Sequence, residues 1–284
     1  MEQELWKAIV VALRKIDRRF GNPAATYSDE RIVCVWFWAV IHDRPVSWAC
    51  DRKNWTPHLR RQKVPSSATM SRRLRLESVR QLIKQLEQRI LRPDGKRSLV
   101  WYIDGKPLVI GGASKDRQAG NGRAVRGMAR GYKLHAIFGA DYSVAAWRIA
   151  PMNVSEKVIG RRLIRSAAIH GYLVGDGNYE AAPLHELCME NGDLQLVARR
   201  RKGRGLGHRR QCCGRLRSIE LLEHSLTGFG PDLLQERDAI ERFFGRLSSW
   251  GGGLTHLPAW ARTHRRVHRW VQAKLILTAL KRDL

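Results

Sequence analysis

The chain has 284 residues, 43% of them hydrophobic, with 52 Lys and Arg against 26 Asp and Glu, a formal net charge of +26. That length can bury a sizeable core and hold one large domain plus a smaller one, and the apolar share argues against general disorder. A positive excess of this size points to a polyanionic partner, nucleic acid first, with solubility or membrane association as its other uses.

The start, MEQELWKAIVVALRKIDRRF, is charged and amphipathic, without the apolar segment or cleavage site of a signal peptide, and reads as a first helix. No stretch approaches 18 uncharged apolar residues, so no membrane span is expected. Ser28 is placed to cap a second helix running into the apolar VWFWAV, and a third is expected from Pro45 to Cys50. A helical pair follows in VPSSATMSRRLRLESVRQLIKQLEQRI, where Ser67 or Thr69 caps a short helix presenting Arg72, Arg73 and Arg75. Those arginines either meet DNA phosphates or simply face water. Pro93, Asp94 and Gly95 break the periodicity and set a boundary at residue 95.

Beyond it the pattern changes to strands. Ser98 to Ile110 is rich in β-branched and aromatic residues, and Gly131 to Gly139 with Ser143 to Ile149 reads as a hairpin pair. Between them GGASKDRQAGNGRAVRGMARG reads as a mobile basic loop carrying Lys115, Arg117, Arg123, Arg126 and Arg130, long enough to suggest substrate contact over a plain solvated connection. A helix over Asn153 to Ala168, a strand in GYLVGDGNY, a helix over Ala181 to Glu190 and a strand over Leu194 to Ala198 indicate α/β packing with a mixed sheet. ARRRKGRGLGHRRQCCGRLR, with Arg199, Arg200, Arg201 and Lys202, is either a solvated loop or a strip along a phosphate backbone. The five cysteines have no zinc-ligand spacing and read as reduced thiols.

Three acidic residues stand in apolar frames. Asp104 is expected where its strand ends, and Asp176 follows Leu173 and Val174 between two glycines, so adjacent strands would bring them together; each alone could equally serve a turn. Glu241 lies beside the apolar face of Leu233, Ile240, Phe244 and Leu247, with Arg237 four residues earlier. Close carboxylates repel unless protonated or neutralised, and magnesium would resolve that with oxygen ligands. Near the end, WGGG breaks the helix, and residues 260 to 274 form a basic helix. His264 and His268 are four apart there, without an acidic or cysteine partner nearby.

The ordered set YIDGKP, GYKLHAIFGADYSVAAWRIAPMNVSE, YLVGDGNYEAAPLHEL and RDAIERFFGRL, with SSATMSRRLR upstream, resembles the DDE-type transposases of bacterial insertion sequences. The resemblance covers roughly Trp36 to Leu280 and implies a ribonuclease-H-like core. In that pattern Asp104, Asp176 and Glu241 match the catalytic, metal-binding residues, and Arg237 matches an arginine near the glutamate. The tyrosine and lysine positions of one branch hold Leu234 and Ser248 instead.

The implied organisation is a basic helical, DNA-binding region over 1–95, the catalytic core over 96–249, and a basic helical segment over 250–284 packed on that core. The implied chemistry is DNA end cleavage and strand transfer with two Mg2+ ions, or Mn2+ in their place, Asp104 bridging them. A metal-dependent nuclease without strand transfer is the alternative. Partners would be double-stranded DNA, as terminal inverted repeats and target, and further copies of the chain in a synaptic complex, in the cytoplasm at a bacterial nucleoid.

Overall fold

The structure is a computed structural model that describes residues 2–16, 25–57, 59–60, 63–91, 98–111, 114–141, 143–200, 206, 210–224, 226–236, 238–248, 254 and 257–282. Two compact units divide the chain: Met1–Pro93 with Ser249–Leu254 and Arg269–Leu284, and Asp94–Ser248 with Thr255–His268.

In the first unit, α1 (Glu2–Arg14) buries Leu5, Trp6, Ile9 and Leu13 along one stripe, the spacing of an amphipathic helix. Ser28 Oγ accepts the Arg31 amide at 3.2 Å and opens α2 (Asp29–Ile41), the start expected from sequence. Every residue from Ile32 to Ile41 is buried, which makes α2 the centre of this unit. After α3 (Val46–Ala49) and a 3-10 turn at Arg52–Asn54, three tryptophans meet. Trp38 stacks on Trp55 with centroids 5.0 Å apart, and Trp6 stands edge-on to both. Each indole N–H reaches a backbone carbonyl, of Cys34, Asn54 and Ala49, so these large rings bury apolar area without stranding a donor.

α4 (Ser67–Arg73) is capped by Ser66 and by neither Ser67 nor Thr69, the caps expected from sequence: Ser66 is extended, at ψ 157°, and its Oγ accepts the Thr69 N–H at 3.2 Å. Arg73 does not face outward. It binds the buried Asp29 at 2.6 Å, while Arg72 and Arg75 are exposed. α5 (Glu77–Leu91) packs through Val79, Ile83 and Leu86.

The second unit is built on six strands and the helices between them. In chain order these are β1 (Val100–Val109), β2 (Gly120–Ala124), β3 (Gly127–Gly139), β4 (Val144–Pro151), α6 (Glu156–Ser166), β5 (Gly171–Gly175), α7 (Ala182–Glu190) and β6 (Leu194–Ala198). Then follow α8 (Cys213–Ile219), a π turn at Glu220–His224, α9 (Phe229–Gln235), α10 (Asp238–Ser248) and α11 (His264–Arg282). The sheet runs β4-β3-β1-β5-β6, antiparallel from β4 to β1 and parallel from β1 to β6. Side-chain alternation gives it two faces. Trp101, Ile103, Ile137 and Leu173 share a buried cluster with Ile159, Leu163, Leu184 and Leu187 of α6 and α7. On the other face Phe138 stacks on Phe243 of α10 at 4.0 Å. This mixed sheet with helices on both faces, together with the helical N-terminal region, is a ribonuclease-H-like α/β fold.

The expected basic loop at 111–131 is largely a β-hairpin, in which β2 pairs with the start of β3 from Gly120↔Gly131 to Ala124↔Gly127. Its glycines allow close packing: a Cβ at Gly122 would lie 2.5 Å from the Met152 carbonyl oxygen. The loop before it is tied by Asp116, which is buried and accepts from Tyr132 Oη at 2.8 Å and from the amides of Thr263 and Gln118 at 2.8 and 3.0 Å. Burial by itself would raise the Asp116 carboxyl; these donors and the Arg130 charge outweigh it and hold the group below its ordinary value.

Asp116→Asn is therefore expected to cost about 2 kcal/mol in urea melts at neutral pH. Because the folded value is depressed, the carboxylate's contribution is complete above the unfolded value of about 3.9 and disappears as pH falls through the folded value. The gap between wild type and variant should close there; a gap independent of pH would refute this role.

The terminal helix, expected beside the core, is shared between the units. His264 and His268 belong with the sheet, where His264 Nε2 lies 2.9 Å from the Ile149 oxygen and His268 packs on Trp147. From Arg269 onward the contacts go to the N-terminal helices: Arg269 donates to the Leu74 carbonyl at 3.0 Å and lies over Trp36, and the buried Lys274 sits 2.5 Å from Asp43. Among the described residues no helix is long and apolar enough to cross a membrane. The boundary at Pro93, Asp94 and Gly95 and the WGGG segment fall outside the described residues.

Candidate active site

The pairing of β1 with β5 runs in parallel register from Val100↔Tyr172 to Ile103↔Gly175. The next residue of each chain segment is an aspartate, Asp104 and Asp176. Neighbouring strands lie about 4.8 Å apart, so this pairing brings two segments 72 positions distant in sequence to a common end, with an aspartate following the last pair on each. Alternation along β1 places Asp104 on the face of Tyr102, Asp176 follows the last residue of β5, and both aspartates are half-buried.

Asp104 is not the end of its strand. β1 continues to Val109 because β3 keeps pairing with it, from Asp104↔Ala136 to Val109↔Gly131. What ends before Asp104 is the pairing with β5, whose chain turns away at Asp176. The turn is made by Asp176 itself: its carboxylate accepts the Asn178 amide N–H at 2.9 Å and the Asn178 side-chain amide at 3.0 Å, and its carbonyl accepts the Tyr179 N–H. Asp104 Oδ1 accepts the Gly105 N–H at 2.7 Å.

Glu241 is on α10, which packs on the Tyr102 face of the sheet through Phe243 and Phe138. Ile240, Phe243, Phe244 and Leu247 are buried, which leaves Glu241 exposed at the edge of the packed stripe. Phe243 anchors the helix on Phe138, which pairs across from Tyr102, two residues before Asp104. Glu236, just before α10, accepts from Tyr102 Oη at 2.7 Å. Lys106, two residues beyond Asp104 on that face, lies 5.7 Å from the Phe244 ring, and burial lowers its ammonium from the ordinary lysine value. Among the described residues no three His, Cys, Asp or Glu side chains form a group able to hold a metal ion. The β1–β5 pairing brings the segments of Asp104 and Asp176 to a common end, and Glu241 stands on the helix that packs on Phe138, without forming such a group with them.

A further carboxylate escaped the sequence reading. The fully buried Tyr179 hydroxyl is raised well above its ordinary value, by burial first and then by the charges of Asp104, Glu156 and Asp176. Glu156 opens α6 and is held by Lys133 Nζ at 2.6 Å. Its only signal was the position of VSE before a helical pattern.

The expected phosphate contacts divide into two groups. Lys115, Arg117, Arg123, Arg126 and Arg199 are exposed. Arg130 is engaged by the backbone, donating to the carbonyls of Asp116 at 2.5 Å and Ala119 at 3.2 Å. Arg200 forks onto Glu223, with Nε 2.9 Å from Oε1 and Nη2 on Oε2. Arg201, Lys202 and Arg237 lie outside the described residues. All five cysteines are free, and burial pushes the Cys34 and Cys188 thiols up to about 12.

No protein-family model matches the chain, and no curated protein sequence matches it. Among solved structures, the piggyBac transposase in a synaptic complex with hairpin DNA is similar over 98% of this chain and 71% of that one, at 9% identity and a TM-score of 0.49. This is a distant likeness.

Proposed function

We propose that the chain is a DDE-type insertion-sequence transposase, which cleaves DNA at the ends of its element and joins them to target DNA. The observation that supports this most is the parallel β1–β5 register, whose last pair, Ile103↔Gly175, is followed in each segment by an aspartate, Asp104 and Asp176. The acidic motifs and the +26 charge of the chain agree with it.

The donor chemistry fits magnesium or manganese. Two adjacent half-buried carboxylates are hard oxygen ligands whose mutual repulsion a divalent cation relieves. Asp104 and Asp176 would hold the metal, with Glu241 on the covering helix as the third ligand. When bound, such ions supply an activated water or 3′-hydroxyl and stabilise charge on the leaving oxygen. The chain itself holds Asp104 on a strand that β3 keeps pairing beyond the end of the β5 pairing, and it fixes Asp176 through its turn with Asn178. Exposed basic side chains attract the phosphate backbone.

The test supplies paired DNA ends, taken from the inverted repeats flanking the gene, and a target plasmid in Mg2+. Joined products support the proposal, with a native mass of at least two subunits on the paired ends. Cleavage without joining would replace it with a nuclease, and retarded but intact DNA would reduce it to a binding module.

A further inference from the structure

The β2–β3 hairpin has two unlike faces. Gly122 and Ala129 are cross-strand partners on the inner face, where Gly122 is buried against Met152. Arg123↔Met128 and Asn121↔Arg130 are the partners on the outer face, and all four are exposed. Met128 shows 74% of its surface, and Val125 at the tip shows 95%. The turn is tight: Ala124 pairs with Gly127 around Val125 and Arg126, with Gly127 at φ 110°, a conformation that favours glycine. The base is held as well, because Arg130 clamps the carbonyls of Asp116 and Ala119, and Asp116 is itself fixed by Tyr132 and Thr263.

Val125 and Met128 are thus left largely in water on a fastened ribbon. They alternate with cations, Arg123 and Arg126, and Lys115 and Arg117 are exposed on the approach. Charge complementarity therefore selects a polyanion. A two-stranded ribbon has the width that the major groove of B-DNA admits, and asparagine, arginine and apolar side chains are the groups that meet adenine, guanine and thymine edges there.

We propose that the outer face of the β2–β3 hairpin enters the major groove of double-stranded DNA, with Asn121, Arg123 and Met128 against base edges and Arg126 at phosphate. This rests on the preceding reading only in its choice of duplex DNA as partner, and it concerns binding, which is measured without magnesium.

The test compares the full chain with an Asn121→Ala, Arg123→Ala, Met128→Ala variant, by fluorescence anisotropy on two 30-base-pair duplexes of the same sequence. One duplex is plain. The other carries glucosylated 5-hydroxymethylcytosine, whose sugars fill the major groove. The variant changes only exposed side chains, so an unaltered melting temperature is expected and is checked first. Wild type should bind the plain duplex about tenfold more tightly than the variant, and glucosylation should remove most of that difference. The salt slope of the variant should fall by about 1 if Arg123 also neutralises a phosphate. Equal affinities of wild type and variant for the plain duplex would overturn the proposal. So would a difference that survives glucosylation, since that locates the contact outside the major groove. A chain that binds as expected yet never cleaves DNA would leave the ribbon standing and remove only the catalytic reading.

Discussion

Asp104→Asn is expected to lower magnesium-dependent DNA cleavage about a thousandfold, the loss produced by removing roughly 4 kcal/mol of transition-state stabilisation. Asparagine keeps an oxygen that can still accept the Gly105 N–H, so the local backbone bond survives while the charge that a cation requires is removed. Folding and DNA affinity should both stay near wild type. Glu241→Gln should show the same separation, and more cleanly, because Glu241 is exposed and its loss disturbs no packing. Asp176→Asn is the more delicate variant, since both carboxylate oxygens of Asp176 accept from Asn178. Some thermal destabilisation is expected with it. Undiminished cleavage by the Asp104→Asn protein would sink the assignment of this face as the active site.

Lys274→Met is expected to lower the unfolding free energy by about 3 kcal/mol, measured in denaturant melts. Lys274 is 1% exposed and lies 2.5 Å from Asp43, so methionine fills the volume of the stem and leaves the Asp43 charge uncompensated. The cost belongs at the low end for a buried pair, because Asp43 keeps 22% of its side-chain surface. Burial lowers Lys274 from its ordinary value and raises Asp43, as expected when each charge loses its water, and their pairing opposes both shifts. The second site is chosen by backbone geometry. Asp43 sits at φ 50°, a left-handed conformation that asparagine tolerates, so Lys274→Met with Asp43→Asn should recover most of the loss. A double variant no more stable than Lys274→Met would show that the deficit comes from packing around the lysine stem and not from the stranded carboxylate.

What the amino-acid sequence by itself determined was set by neighbours along the chain. A hydroxyl before an apolar helical period placed the start of α2 at Ser28, and a run of alternating and branched residues placed β6 at Leu194–Ala198. The stripe of Leu233, Ile240, Phe244 and Leu247 was legible as a packing face, although it is carried by two helices, α9 and α10.

Only the tertiary structure decided which of these meet. Asp104 and Asp176 become neighbours because β1 and β5 pair in parallel across 72 positions, a hydrogen-bond register that no local pattern encodes. The glycines of 111–131 read as loop residues, yet in the hairpin Gly122 lets β2 lie against the Met152 backbone, a constraint visible only when that chain arrives. Likewise Arg73, Arg130 and Arg200 looked available for phosphate until Asp29, the Asp116 and Ala119 carbonyls and Glu223 came within reach. A charge is written in the sequence, but its partner is chosen by folding, because electrostatic and hydrogen-bond energies depend on distance in space.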